Sequence, residues 1–101
     1  MNFGLSEKTI NKLLAVFVKY PEIEEVIIYG SRAKGNYREG SDIDLCLKGL
    51  GVTEKIRSRV WLDIDDLNTP YLVDLAVYHL LTSQSLLEHI DRVGKTLYKA
   101  G

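Results

Sequence analysis

The sequence is poor in the residues that fix a fold by cross-links or metal cages. Its single cysteine, Cys46, allows no disulfide within the chain, which agrees with a reducing compartment. Its two histidines, His79 and His89, have no cysteine or histidine partner at zinc spacing, so both are expected in structural or surface roles. No apolar run is long enough to span a bilayer, and residues 1–8 lack the basic start and apolar stretch of a secretory signal. A cytoplasmic protein without membrane contact is therefore expected. Charge of one sign is lacking too: 13 basic residues face 14 acidic ones, a net charge of -1. No overall field draws in nucleic acid, so any phosphate contact must come from a local cluster. Repeats, low-complexity tracts and linkers are also missing. What remains is 101 residues, 46% hydrophobic and 27% charged, enough for one modest core. Residues 1–101 read as one domain.

The apolar spacing alternates between two periods along the chain. Ile10, Leu13, Leu14, Phe17 and Val18 recur at helical spacing, which predicts a helix over residues 6–19, capped by Ser6 and ended before Pro21. Residues 25–29, rich in β-branched and aromatic side chains, read as a buried strand that must turn at Gly30. Ser31 stands where a short helix can start across Arg32, Ala33 and Lys34, and residues 36–41 form a polar loop. Residues 42–47 alternate, with Asp42, Asp44 and Cys46 on one face and Ile43, Leu45 and Leu47 on the other. A helix over residues 53–67 follows, capped by Thr53, with Ile56, Val60, Trp61, Ile64 and Leu67 facing inward. Asp63, Asp65 and Asp66 do not share a helix face and are expected in solvent. Residues 71–78 make a third strand, residues 83–93 a last helix ended by Gly94, and residues 95–99 an extended tail. The expected fold class is α/β (α+β): a small sheet with helices mainly on one face and Asp42, Asp44 and Asp74 on the other.

The stretch from Gly30 to Leu47 carries the chemistry. Residues two apart on a strand lie about 6.7 Å apart and share a face, so the carboxylates of Asp42 and Asp44 can converge on a hard cation such as Mg²⁺. Without a cation they repel, and one tends to take up a proton. Gly30 lets the backbone approach a ligand closely, and Ser31 offers a hydroxyl and neighbouring N–H groups at a helix start that favours anions. Arg32, Lys34 and Arg38 follow in the same loop. Cation site, anion-binding turn and basic side chains together suit a triphosphate with its metal. Gly30 to Gly35 has the glycine spacing of a P-loop, but Asn36 and Tyr37 follow where lysine and a hydroxyl are required, so a P-loop is excluded. Asp74 interrupts an otherwise apolar strand, and burying it unpaired costs several kcal/mol, so a shared metal would give it a partner. Two ions about 3.5–4 Å apart would hold the triphosphate and activate an attacking hydroxyl. Tyr29, Tyr37 and Tyr71 are equal candidates to approach a nucleotide base.

The pattern Gly30-Ser31-Arg32-Ala33-Lys34-Gly35, then Ser41-Asp42-Ile43-Asp44-Leu45, then Asp74 in a Val-Asp-Leu strand, resembles the DNA polymerase β-like nucleotidyltransferase superfamily. It looks most like the minimal nucleotidyltransferases (MNT), and residues 90–98 resemble the usual ending of such domains. Lys34 stands where arginine is common; it keeps the charge but not the planar fork. The resemblance implies a mixed sheet, Mg²⁺, and transfer of NMP from an NTP to a hydroxyl with release of pyrophosphate. It implies metal binding and catalysis by Asp42, Asp44 and Asp74, and triphosphate binding at Gly30 and Ser31; Arg32, Lys34, Arg38 and Ser41, from the same loop, are expected around the nucleotide. It also implies a protein partner, since many MNT proteins are antitoxins that add AMP from ATP to a tyrosine of a HEPN-type toxin. The chain is too short to build its own acceptor site, so a complex with a second chain is expected. The alternatives are transfer to a small molecule such as an aminoglycoside, which usually needs an extra helical domain, and a non-catalytic module that neutralises its partner by contact alone.

Overall fold

The computed structural model describes residues 3–101. In chain order the elements are α1 (Glu7–Phe17), β1 (Glu25–Tyr29), α2 (Ser31–Lys34), β2 (Ile43–Lys48), α3 (Glu54–Asp65), β3 (Val73–Val77), a 3₁₀ turn (Tyr78–Leu80), α4 (Gln84–Val93) and β4 (Lys95–Lys99). The three longer helices begin on hydroxyl residues. The side chains of Ser6, Thr53 and Ser83 accept from the backbone N–H of Thr9, Ile56 and Leu86, which satisfies a donor that the first turn leaves free.

The strands form one sheet in the order β3-β2-β1-β4. β1 runs antiparallel to β2 and to β4, while β2 and β3 are parallel. The sheet is therefore mixed. The parallel pair needs a long crossover, which α3 provides. The tail expected at residues 95–99 is a fourth strand. It fills the second edge of β1, Leu97 and Tyr98 pack on the core, and the Tyr98 ring lies 5.8 Å from that of Phe17. Exposed Lys95 and Lys99 mark this edge strand with charge, a common guard against further strand addition.

Strand alternation divides the apolar residues between two clusters. Val26, Ile28, Ile43, Leu45, Leu47, Val73 and Val77 join Leu13, Val16 and Phe17 of α1 and Val60 and Ile64 of α3 in the main core. On the opposite face Ile27 and Cys46 pack with Ile90 of α4. This face was expected to be open; α4 covers part of it because Gly94 lets the helix end come against Ile90 carbonyl and Ile27, where a Cβ would collide. Cys46 is a buried small hydrophobe, and burial pushes its thiol up to about 12.

Two expected core residues lie outside it. Val18 is exposed because α1 ends one residue earlier, at Phe17, and Trp61 on α3 is 41% exposed. Asp63 is not a free solvent acid. It accepts from the Tyr20 hydroxyl and pairs with Lys19 at 3.0 Å, tying α3 to the segment after α1. The Tyr20 hydrogen bond and then Lys19 hold its carboxyl below the usual range. A folded-state pKa below the unfolded one gives stability that is present above the unfolded value and lost as pH falls through the folded one. Asp63→Asn is accordingly expected to lower Tm at neutral pH and to shrink the loss of Tm on acidification, as read by thermal melts from neutral to acid pH.

Candidate active site

The site begins with strand register. Tyr29 of β1 is the Cα partner of Asp44 on β2, and Asp44 is the Cα partner of Asp74 on β3. Partners share a sheet face, so the three side chains form a row across three strands. Adjacent strands lie about 4.8 Å apart, so the carboxylates of Asp44 and Asp74 are neighbours. Asp42 stands just before β2, exposed, and lines the same cavity as Asp74.

Asp44 is half-buried, and its carboxyl is pushed above the usual range, first by loss of solvent, then by the negative charges of Asp74 and Asp42. His89, on α4, acts in the opposite direction. The imidazole of His89 meets the Tyr29 ring edge-on at 6.1 Å. Burial, then Asp44, push the Tyr29 hydroxyl up to about 12, so Tyr29 stays neutral beside the acids. His89 thus borders the acidic row; only the tertiary path of α4 brings it there. His79 instead bonds the Val52 carbonyl at 2.8 Å and holds a loop.

The turn into α2 lies against Asp44. Gly30 has φ +73°, and a Cβ there would sit 2.5 Å from a carboxylate oxygen of Asp44. Glycine is required twice, for the dihedral and for the close approach. Ser31 opens α2, and the helix closes at Gly35, whose N–H donates to the Ser31 carbonyl at 2.9 Å.

Arg32 does not face the expected ligand. It is 2% exposed, and its guanidinium donates to the carbonyls of Phe3 and Ser41 at 2.9 Å each, with a further 3.2 Å bond to Ser41. Tyr37 and Tyr71 flank it, their ring centroids 5.2 and 4.9 Å from the guanidinium carbon. The planar fork therefore staples the N-terminal segment, the 35–41 loop and the approach to β3 together. Two tyrosines considered for base contact are placed on this guanidinium. Within the loop, the Ser41 hydroxyl accepts from the Arg38 N–H at 2.8 Å. Lys34 and Arg38 are exposed at its rim.

Among the described residues no three His, Cys, Asp or Glu side chains form a ready-made metal cage. Mg²⁺ commonly takes one or two carboxylates and completes its shell with water and substrate phosphate, so a paired Asp44 and Asp74 with Asp42 alongside is a donor set of the right kind. Loss of solvent raises the Asp44 carboxyl first, and Asp74 and Asp42 add a repulsion that a cation would offset.

The family description "Polymerase beta, Nucleotidyltransferase" matches residues 11–100. The chain belongs to this nucleotidyltransferase family. Its fold is shared by solved MNT antitoxins. A toxin–antitoxin structure with AMP-PNP superposes with a TM-score of 0.71 at 24% identity, over 95% of this chain and 75% of that one. The MNT antitoxin solved with a tri-AMPylated HEPN toxin from Shewanella oneidensis gives 0.69 at 17% identity, over 95% and 74%. An MntA-HepT complex gives 0.69 at 18%, over 94% and 74%. No curated protein matches the chain at a significant level. No helix among the described residues is long and apolar enough to cross a membrane.

Two outcomes follow from this geometry. Asp44→Asn removes a desolvated, repelled charge, so without divalent metal at neutral pH it should raise Tm by a few degrees, the size ~1 kcal/mol gives in a domain of this length. Gly30→Ala should do the reverse, costing about 1–3 kcal/mol from a backbone conformation that is nearly glycine-only and displacing the Asp44 carboxylate. Differential scanning calorimetry in EDTA reads both.

Proposed function

We propose that this nucleotidyltransferase transfers a nucleoside monophosphate, AMP from ATP, to a hydroxyl on a partner protein. In this reading residues 1–101 act as one minimal domain in the cytoplasm, in a complex with a HEPN-type toxin that the transfer silences. The observation that carries it is the row Asp44–Asp74, with Asp42 at the strand mouth, set against the Gly30–Ser31 turn. The likeness to antitoxins solved with AMP-PNP and with an AMPylated HEPN toxin supports the choice of nucleotide and partner.

Asp42, Asp44 and Asp74 would hold two Mg²⁺ ions. When bound, these supply charge neutralisation at the triphosphate and lower the pKa of the acceptor hydroxyl. The chain's own residues position and discriminate. Gly30 and the Ser31 hydroxyl and N–H receive the phosphates, and Lys34 and Arg38 at the loop rim supply positive charge. Arg32 and Ser41 hold that loop in shape and leave Asp42, the residue after Ser41, correctly aimed. The acceptor oxygen bonds to the α-phosphorus as the bond from that phosphorus to the oxygen bridging to the β-phosphate breaks. Pyrophosphate leaves with the electron pair, and the acceptor proton passes to the exposed Asp74 carboxylate and on to water.

Incubating the chain with α-labelled ATP, Mg²⁺ and its cognate HEPN-type protein tests this. Label should move to that protein, and Asp42→Asn or Asp74→Asn should lower the rate by at least about 10²-fold, the scale of a general acid–base or charge-stabilising group. Silencing of the partner that survives Asp42→Asn with Asp44→Asn would mean action by contact alone and would overturn the reading. A second series concerns the staple: Arg32→Lys keeps the charge but breaks the fork, and should cost about 2–3 kcal/mol of stability and weaken transfer without redirecting it to another acceptor.

A further inference from the structure

The row of polar side chains does not end at the acids. From β3 to β1 it runs Asp74, Asp44 and Tyr29, and beside Tyr29 stands the imidazole of His89, edge-on to the phenol ring at 6.1 Å. α4 delivers it. Ile90, the next residue, is buried against Ile27 and Cys46, on the sheet face that carries the row. The Tyr78 hydroxyl donates to Asp91 at 2.8 Å, and the Lys48 ammonium lies 4.5 Å from the Tyr78 ring centroid, which ties the same helix back to β2. Between these anchors His89 is half-buried and acts electrostatically on Asp44.

The two histidines differ in what claims them. His79 is spent on the Val52 carbonyl. Among the described residues His89 makes no protein hydrogen bond, so its ring nitrogens are left for a ligand, and either neutral tautomer carries one N–H donor. Donors for a triphosphate are scarcer here than the composition of the loop suggests. Arg32 is bonded to the Phe3 and Ser41 carbonyls, while Lys34 and Arg38 stand exposed at the rim. Gly30, the residue after Tyr29, abuts the same Asp44 carboxylate that His89 influences. The phosphate turn and the imidazole therefore border one acid. In-line displacement fixes which part of the nucleotide lies there. With Asp74 of β3 on the acceptor side, the leaving oxygen points the other way across β2, toward β1.

We infer that His89 contacts the terminal phosphates of the bound nucleotide, donating a ring N–H to the group that leaves as pyrophosphate. The inference rests on the transferase reading above. His89 moves no proton in this role. It adds a donor from α4 to those of the Ser31 turn, and the edge-on contact with Tyr29 sets the plane of its ring.

Calorimetric titration of the full chain with α,β-methylene-ATP, AMP and inorganic pyrophosphate, each with Mg²⁺, tests this without turnover. His89→Phe keeps a ring against Tyr29 and removes the donor. It should raise the Kd for α,β-methylene-ATP and for pyrophosphate at least about tenfold and that for AMP less than twofold, with Tm little changed. His89→Gln restores an N–H donor and should recover at least about threefold of the loss. Where His89→Phe does not fold, His89→Ala carries the same expectations. An unchanged pyrophosphate Kd overturns the inference, because the ring then only packs. Equal losses for AMP and α,β-methylene-ATP overturn it as well, as does an equal loss of Mn²⁺ affinity without nucleotide, which would place the effect on the carboxylates. A native chain that binds none of the three probes overturns this inference and the transferase reading together. The expected pattern in a chain that moves no label sinks the transferase reading alone, whereas label transfer with His89→Phe binding as tightly as the native chain sinks only the role of His89.

Discussion

The site depends on one parallel strand pairing. β2 and β3 align so that Asp44 faces Asp74, and a slip of one residue would send one of the two into the main core and leave the other alone. The pairing cannot slip because the same register carries the apolar alternation: Ile43 opposite Val73 and Leu47 opposite Val77 are all buried between the sheet and its helices. The hydrophobic core thus fixes the separation of two carboxylates that, by themselves, repel. Core packing supplies the constraint, and the crossover α3 supplies the parallel direction that sequence-adjacent hairpins cannot give.

Around that pair the fold accepts local cost. A half-buried acid beside a second acid has an elevated pKa in the metal-free chain, and the glycine beside it occupies a left-handed dihedral with no room for a side chain. Such departures from local preference gather where charge must be held ready for a ligand. Arg32 holds the surrounding loops in place. One buried guanidinium, sandwiched between Tyr37 and Tyr71 and bonded to two carbonyls, ties three non-helical segments together without a cysteine or a buried ion pair.

Much of this was legible from residues alone. The helix starts at Ser6 and Thr53, the turn at Gly30 and the alternation of residues 42–47 and 71–78 follow from short-range rules, and the structure places them accordingly. Four features were not legible, for tertiary reasons. Lys95–Lys99 reads as a tail because its charged ends hide a strand whose partner, β1, is some seventy residues away, as the Glu25 to Thr96 side-chain bond illustrates. Arg32 looks like a phosphate ligand because composition cannot show that two distant carbonyls claim its donors. Trp61 falls on the apolar stripe of α3, yet it is 41% exposed and lines the cavity instead of the core. His89 reaches the acidic row only through the docking of α4, a contact with no local signature.

Asp44 and Asp74 share one electrostatic site. The most direct measurement is a double-mutant cycle of Asp44→Asn and Asp74→Asn on metal-free Tm at neutral pH. Each single substitution should stabilise the chain, and the pair together should gain little beyond the better single one, because the repulsion is already gone. Strictly additive shifts, or a loss of stability in both singles, would mean that the two carboxylates do not interact and that the register does not build a common site.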